Sequence, residues 1–222
     1  MTTTATPVCT YVREGARATI TLDRPEARNA MNLPLLEQLV AALEQAHSDQ
    51  VTVTVLAATG PAFCAGADVR SDDGTQRGHP GLRRELIERA LDLIEALPMT
   101  VAAVQGAAVG GGWALALAAD ICLADSDAVF RFPELPLGFL PPESTVRRLR
   151  ASIGPHAAVR AMALGRPHSA EQLQALGLVQ VAPAGELAAM TAAVTDVLAA
   201  QEPNLLTSLT ALIRGFDRNG NQ

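Results

Sequence analysis

One stretch decides the fold of this chain: Gln105-Gly106-Ala107-Ala108-Val109-Gly110-Gly111-Gly112-Trp113. It lies between a predicted buried strand, at residues 100–104, and a predicted helix of small residues, at 114–119. Three consecutive glycines at such a junction each cost backbone entropy on folding. The run is explained if the backbone must come close to a ligand, because a helix that begins there presents unpaired N–H donors and the positive end of its dipole. The alternative is a tight turn that lets the helix pack closely on the strand.

A second segment, Ala62-Phe63-Cys64-Ala65-Gly66-Ala67-Asp68, has the same character. It follows another apolar run, at residues 51–56, and again consists of small residues around a glycine. Two N–H donors from separate loops are the usual means of holding one carbonyl oxygen while it acquires negative charge. Together the two segments predict a site for a developing negative charge, on either a phosphate or an oxyanion.

The composition excludes several classes of protein. With 222 residues, the chain has the length of one domain with a substantial core. A formal charge of −6 without a basic cluster gives no electrostatic footprint for nucleic acid. The start of the chain lacks the pattern of a signal peptide, and glycines interrupt the weakly polar stretch 101–119, so we expect no membrane span. Cys9, Cys64 and Cys122 form no C-x-x-C pair, which predicts a reduced, cytoplasmic compartment.

Apolar periodicity predicts that strands alternate with amphipathic helices up to about residue 132. From Gly154 onward the pattern predicts helices only, and Ser169-x-x-Gln172 is a capping-box signature. Such a pattern predicts an α/β core with a helical C-terminal section. The predicted strands are 10–13, 18–22, 51–57, 101–104 and a pair at 121–124 and 129–132. The predicted helices are 34–46, 82–97, 114–119, 155–165, 169–177, 186–200 and 204–213. Residues 71–81 are predicted to be a mobile loop.

Several motifs, in order along the chain, resemble the crotonase superfamily, the enoyl-CoA hydratase/isomerase family. Besides the two glycine-containing segments they include Phe132-Pro133-Glu134 with Leu137-Gly138, and the likeness extends from Asp23 to Val179. It implies a crotonase-like spiral of ββα turns, with residues 1–185 as the acyl-CoA-binding core. Residues 186–222 would be a helical section of the same structural unit, shorter than in relatives, with contacts in a homotrimer or hexamer.

The resemblance also implies a substrate and a way of binding it. The substrate would be an acyl-CoA thioester, with coenzyme A as part of the substrate, no separate cofactor and no metal. The family holds the thioester carbonyl oxygen between two backbone N–H groups, which here are those of Ala67 and Gly111. Such donors stabilise the negative charge that this oxygen acquires during reaction. The residues expected to contact the substrate are Arg28, Ala65, Ala67, Asp68, Val69, Arg70, Gly110, Gly111 and Trp113.

Carboxylates distinguish the reactions of the family. The resemblance implies that Glu134 is the catalytic acid and base. Hydratases of the family carry a second glutamate at the position of Ala114, and alanine cannot hold or activate a water molecule. Moving a proton between two carbons needs only one carboxylate, so the sequence favours a Δ3/Δ2-enoyl-CoA isomerase. The alternatives left open are a hydratase with a degenerate site, a non-catalytic acyl-CoA-binding protein, and an acyl group delivered by a carrier protein.

Several of these residues have a second, purely structural interpretation. Without the resemblance, Glu134 would be a solvated turn residue after Pro133. Trp113 could line the acyl pocket or fill the core. Glu143, after a double proline, could be a substitute acid, although an exposed loop residue is the favoured interpretation. The arginines that could contact CoA phosphates, or be solvated surface charges, are Arg24, Arg28 and Arg70. The scattered histidines show no metal-ligand spacing.

Overall fold

The computed structural model of the protein describes residues 7–68 and 80–219. The chain forms nine strands and seven α-helices within these ranges, with short 3-10 turns at Pro25–Ala27 and Leu135–Leu137. The strands are β1 Cys9–Glu14, β2 Arg17–Leu22, β3 Val53–Ala58, β4 Thr100–Val104, β5 Ala107–Val109, β6 Ile121–Asp125, β7 Val129–Arg131, β8 His168–Ser169 and β9 Gln180–Ala182. The helices are α1 Leu33–Ser48, α2 Pro80–Ala96, α3 Gly111–Ala118, α4 Glu143–Leu164, α5 Ala170–Ala175, α6 Leu187–Ala199 and α7 Pro203–Asn219.

The larger sheet has six strands in the order β1-β2-β3-β4-β6-β9. All neighbours in it are parallel except the antiparallel hairpin of β1 and β2. Alternate residues of a strand face opposite sides of the sheet. In β4, Ala102 and Val104 face the main core with α1, α2 and α3, whereas Val101 and Ala103 face a smaller core with α6 and α7. The C-terminal helices therefore pack on the sheet, in the same unit as the rest of the described chain.

The smaller sheet begins where the chain turns out of β4. Gly106 has a φ of +57°, and a Cβ atom there would collide with the carbonyl oxygen of Pro61. After this turn β5 pairs in parallel with β7, and β7 pairs antiparallel with β8. The turn at Gly106 thus carries the chain from one sheet into the other and brings the glycine run close to the segment 62–68.

Much of the predicted architecture is confirmed. The α/β class, the hairpin around Glu14-Gly15 and the helix that opens with Pro34 are all present. The capping box is also confirmed: the Ser169 hydroxyl accepts a hydrogen bond from the Gln172 amide, and the Gln172 side chain accepts one from the Ser169 amide. The loop predicted at 71–81 falls largely outside the described residues, and α2 already begins at Pro80. No helix in the described ranges is long and apolar enough to cross a membrane.

Two predictions are wrong. The segments 121–124 and 129–132 do form strands, but β6 lies in the larger sheet and β7 in the smaller one, so they are not a pair. The chain after Gly154 is not purely helical, because β8 and β9 follow it. These strands have two and three residues, which is too short to show an alternating pattern in sequence.

Helix α4 is longer than predicted. It begins at Glu143, while the sequence indicated a start at Pro155. The predicted start follows directly on Gly154, where a φ of +76° makes a kink between two helical segments. Only Thr145 and Leu149 are buried in the first segment, so its apolar periodicity is too sparse to be recognised.

Candidate functional site

The glycine run forms the turn between β5 and α3. Gly110 caps the helix with a φ of 55° and a ψ of −121°, a conformation that glycine alone adopts readily. Its amide donates to the carbonyl oxygen of Arg131 at 2.8 Å, which fixes the turn to β7. Gly112 needs the absence of a side chain for another reason, since a Cβ there would collide with the carbonyl oxygen of Cys64. Close backbone packing thus accounts for part of the run.

The segment 62–68 lies beside this turn and is joined to its neighbours by isolated β-bridges at Cys64 and Ala67. The Cys64 amide donates to the carbonyl oxygen of Ala107 at 3.0 Å, and its carbonyl oxygen accepts from the Val109 amide at 2.9 Å. The Cys64 thiol contacts the carbonyl oxygen of Asn29 at 3.1 Å. Burial raises the pKa of this thiol to about 12, so Cys64 is a packing residue and not a nucleophile.

Met31 lies between the two residues predicted to form the oxyanion hole. Its amide donates to the carbonyl oxygen of Gly66 at 2.8 Å, and its carbonyl oxygen accepts from the Asp68 amide at 3.0 Å. Because successive peptide groups of an extended strand face opposite sides, the amide of Ala67 points away from Met31. The Met31 side chain is so close to Gly111 that a Cβ there would collide with its Cε.

Both predicted oxyanion donors are available. Within the part of the chain that the structure describes, neither the Ala67 amide nor the Gly111 amide donates a hydrogen bond. Gly111 is the first residue of α3, where an amide has no partner within its own helix. Their shared neighbour Met31 is fully buried, so the two backbone segments are held together by a packed side chain.

The carboxyl group of Glu134 lies against the glycine turn. Its Oε1 would be 2.7 Å from a Cβ atom placed on Gly110. Its Oε2 is buried and has no hydrogen-bond partner among the described residues. Burial raises the pKa of Glu134 above its ordinary value. Glu134 is therefore not a solvated turn residue, and a carboxyl group with a raised pKa is suited to taking up and returning a proton.

The two other positions that bear on proton transfer carry no such group. Ala114 is buried in the first turns of α3, and its amide donates to the carbonyl oxygen of Gly110 at 2.9 Å. Glu143 is exposed, as predicted, but it starts α4 and does not lie in a loop. Among the described carboxylates, Glu134 is the one in contact with the glycine turn.

The predicted substrate-contacting residues lie in several places. Arg28 is exposed, has a left-handed backbone with a φ of 51°, and accepts a hydrogen bond from the Ala65 amide at 3.0 Å. This hydrogen bond joins Arg28 to the middle of the segment 62–68. Val69 and Arg70 lie outside the described residues. The roles of these four residues toward a substrate stay predictions.

Asp68 and Arg24 form a pair that holds the segment in place. The Asp68 carboxylate is buried and lies 2.5 Å from the Nη1 of Arg24, which also donates to the carbonyl oxygen of Ala30 at 3.0 Å. Arg83 of α2 donates to the carbonyl oxygen of Asp68 at 2.7 Å. The Arg24 guanidinium is thus tied to the protein and is not a freely solvated surface charge.

Trp113 is buried, with 2% of its surface exposed. Its ring stacks on Phe132 at 4.2 Å between centroids and an angle of 16°, and it also contacts Phe130 and His168. This placement fits the alternative interpretation of a ring that fills the core. A contact between Trp113 and an acyl group stays a prediction.

Sequence analysis missed Asn29, a fully buried polar residue of the site. Its Nδ2 donates to the carbonyl oxygens of Thr59 and Ala62, both at 2.9 Å, and its Oδ1 accepts from the Arg24 amide at 2.8 Å. It also has a φ of 54°, which asparagine tolerates better than most residues. Its neighbours Arg28 and Ala30 give no local pattern that would have indicated this role in the sequence.

The chain is similar to known proteins over most of its length. A family model described as enoyl-CoA hydratase/isomerase matches residues 13–219. A protein of Mycobacterium tuberculosis named "Probable enoyl-CoA hydratase" is 40% identical over 158 residues, which are 71% of this chain and 61% of that protein. An enoyl-CoA isomerase/hydratase of Mycosarcoma maydis is 36% identical over 176 residues, which are 74% of this chain and 64% of that one. The matched part therefore spans about three fifths of the length of these curated relatives.

Solved structures give the same result for the fold. An enoyl-CoA hydratase/carnithine racemase from Magnetospirillum magneticum matches with a TM-score of 0.88 and 32% identity, over 96% of this chain and 82% of that one. An enoyl-CoA hydratase from Bacillus anthracis matches with a TM-score of 0.87 and 28% identity, over 93% and 82% of the two chains. The crotonase-like fold with a helical C-terminal region is thereby confirmed.

Proposed function

Because the chain belongs to the enoyl-CoA hydratase/isomerase family, we propose that it binds an acyl-CoA thioester and moves a proton along its acyl chain. The observation that carries this proposal is the position of Glu134: a partly buried carboxyl group that lies against Gly110 and whose Oε2 has no hydrogen-bond partner among the described residues. Burying a carboxyl oxygen without a hydrogen-bond partner costs free energy, and such perturbed groups are concentrated at functional sites. Coenzyme A enters as part of the substrate, and the mechanism uses no further cofactor.

In this proposal the thioester carbonyl oxygen accepts hydrogen bonds from the amides of Ala67 and Gly111. Both amides are without partners in the described chain, and both residues flank Met31. Negative charge develops on the oxygen when a proton leaves the adjacent carbon. One preorganised donor of this kind is typically worth about 3–4 kcal/mol of barrier.

Glu134 then transfers the proton. As a carboxylate it removes a proton from C2 of a 3-enoyl-CoA, and the electron pair of the C–H bond delocalises onto the thioester oxygen, which gives a dienolate. The same carboxyl group returns the proton at C4, which gives the 2-enoyl-CoA. One group performs both steps, so no second acid is needed, and the raised pKa of Glu134 suits a group that must hold the proton between them.

Ala114 supports isomerisation over hydration. Residues three apart in an α-helix project about 60° apart, so Ala114 faces nearly the same side of α3 as Gly111. A methyl group there cannot position a water molecule for addition to the double bond. The names of the relatives favour the second candidate, enoyl-CoA hydration, since the Mycobacterium tuberculosis protein is named as a hydratase.

Two substrates distinguish the candidates. We expect the protein to convert 3-hexenoyl-CoA to 2-hexenoyl-CoA, followed by the absorbance of the conjugated thioester, and to hydrate crotonyl-CoA far more slowly. Faster hydration of crotonyl-CoA would favour the hydratase. Tight binding of both thioesters without turnover of either would indicate a non-catalytic binding protein.

A gain-of-function variant tests the role of the second position. Ala114→Glu supplies the missing carboxylate, and we expect it to raise hydration of crotonyl-CoA. Ala114→Gln is the matched control, because it has almost the same volume but cannot act as a base. Equal hydration by both variants would show that Ala114 is not the position that decides the reaction.

We also propose assembly as a homotrimer or hexamer. Large apolar side chains are exposed on the turn after Glu134 and on the last two helices, and contiguous exposed apolar surface marks interfaces. They are Leu135, Leu137, Phe139, Leu140, Val197, Leu205, Leu209, Leu212 and Ile213. Light scattering that gives a monomer at micromolar concentration would contradict this assembly.

A further inference from the structure

A cavity of about 470 Å³ lies between the C-terminal half of α4, helix α5 and the ring of Trp113. Residues two apart in an α-helix project about 200° apart, so Trp113 and Gly111 face opposite sides of α3. Apart from Trp113, no residue that lines the cavity is among those predicted to contact the acyl-CoA. The cavity is therefore a second place on the molecule where a small ligand could bind.

The walls of the cavity are mostly apolar. Ala161 and Leu173 are buried, and Leu164 and Leu176 remain 52% and 43% exposed. The volume falls in the range of small-molecule sites, which are lined mainly by apolar and aromatic side chains. This part of the cavity fits the apolar body of a small ligand.

The charged groups of the cavity are all of one sign. Arg160 and Arg166 line it, and neither forms an ion pair with any residue that the structure describes. Two arginines without a carboxylate partner attract an anion, and the planar guanidinium group suits the two oxygens of a carboxylate. The charge pattern thus indicates a carboxylate at the edge of the apolar walls.

His168 adds a polar contact to the same cavity. Its Nδ1 is buried without a hydrogen-bond partner among the described residues, and the side chain lines the cavity. The imidazole ring also contacts Trp113, at 5.7 Å between centroids.

We propose that this cavity binds a small organic carboxylate with an apolar body. The carboxylate contacts Arg160 and Arg166, and the apolar body lies against Trp113, Ala161 and Leu173. The site is distinct from the acyl-CoA site proposed above, and it does not depend on that proposal.

The single tryptophan of the chain makes the site directly observable. Because Trp113 lines the cavity, octanoate should change the fluorescence of Trp113 in a saturable way. Octanol has the same apolar body without the charge. We therefore expect its affinity to be lower than that of octanoate by at least about tenfold. A response that does not saturate, or equal binding of octanol and octanoate, would overturn the proposal.

Arginine variants locate the carboxylate. Arg160→Gln and Arg166→Gln remove charges that have no partners among the described residues, so the fold should be retained, and each should weaken octanoate binding about tenfold. Arg150→Gln, on an exposed part of α4 that does not line the cavity, is the matched control and should leave binding unchanged.

Competition separates this site from the acyl-CoA site. Octanoate should bind with the same affinity in the presence of saturating hexanoyl-CoA. Competitive displacement of octanoate by hexanoyl-CoA would show that the cavity belongs to the substrate site, and would overturn the inference even if the proposed isomerase activity is real.

Discussion

The two sides of helix α3 differ in which atoms meet the neighbouring structure. On the side of Gly111, backbone atoms are in contact with Met31, and the polar groups are free amides and one carboxylate. On the side of Trp113, large rings fill the space, and the polar groups are arginine and histidine side chains around a cavity. Within one helical turn, the glycine run therefore allows close approach of the backbone, whereas the tryptophan packs against other rings beside a cavity.

The difference has a physical cause. The charge of an oxyanion is localised on one oxygen atom. Fixed backbone N–H donors stabilise it well because they lose no side-chain entropy on binding. A ligand with an apolar body needs surface area instead, which rings and aliphatic side chains supply. If this division is correct, substitutions on the Gly111 side should affect turnover, and those on the Trp113 side should affect octanoate binding.

The largest effect is expected for Glu134→Gln. The amide keeps the shape of the carboxyl group but cannot accept the proton, so kcat should fall about 10³-fold while acyl-CoA binding is retained. Glu143→Gln is the control, since Glu143 is an exposed residue at the start of α4. Both are measured by steady-state kinetics on 3-hexenoyl-CoA. Full activity of Glu134→Gln together with a large loss in Glu143→Gln would transfer the catalytic role to Glu143.

A smaller effect is expected for Gly110→Ala. A Cβ atom at this position would be 2.7 Å from the Oε1 of Glu134, and the φ of 55° is unfavourable for alanine. We expect kcat to fall about 10²-fold because the carboxyl group is displaced from its place. Gly15→Ala is the matched control, since Gly15 also has a positive φ, of 62°, but a Cβ atom there would meet no atom within 4 Å. Similar activity in the two variants would show that the contact with Gly110 does not position Glu134.

Gly112→Ala should affect stability more than chemistry. Its Cβ would collide with the backbone carbonyl of Cys64, which cannot move away as a flexible side chain could. Overpacking of this kind costs about 1–3 kcal/mol, and each kcal/mol lowers the Tm of a chain of this size by about 2–4 °C. Gly81→Ala in α2, where a Cβ meets no atom within 4 Å, is the control for calorimetry. An unchanged Tm for Gly112→Ala would mean that the two segments are not tightly packed.

The sequence predicted the Gly111 side of α3 much better than the Trp113 side. Three consecutive glycines between a strand and a helix have few structural explanations. Gly110 and Gly111 could therefore be recognised as candidate site residues from the local sequence alone. Glu134 needed the resemblance to a family, because a glutamate after a proline has nothing unusual by itself. Its burial against Gly110 depends on the pairing of β5 with β7, which strands of three residues do not reveal.

The cavity beside Trp113 could not be predicted from the sequence. It is formed by residues far apart in the chain, from Trp113 to Leu176. Side chains such as Arg160 or His168 have no local pattern that distinguishes a cavity wall from solvated surface. For the same reason Asn29 and Met31 were missed, since their roles consist of contacts with distant backbone.

The smallest effect is a dependence of stability on pH. Burial raises the pKa of Glu134 above the ordinary value of 4.5, so the folded protein keeps this proton at pH values where the unfolded chain has lost it. The stability of the wild type therefore falls as pH rises from 4.5 through the folded pKa, whereas glutamine at this position has no proton to lose. We expect Glu134→Gln to have the same Tm as the wild type below pH 4.5 and a higher Tm than the wild type at neutral pH. Glu143→Gln should show no such difference. A Tm advantage of Glu134→Gln that is independent of pH would mean that the Glu134 carboxylate is solvated, and it would remove the burial that distinguishes the Gly111 side of the helix as a site for proton transfer.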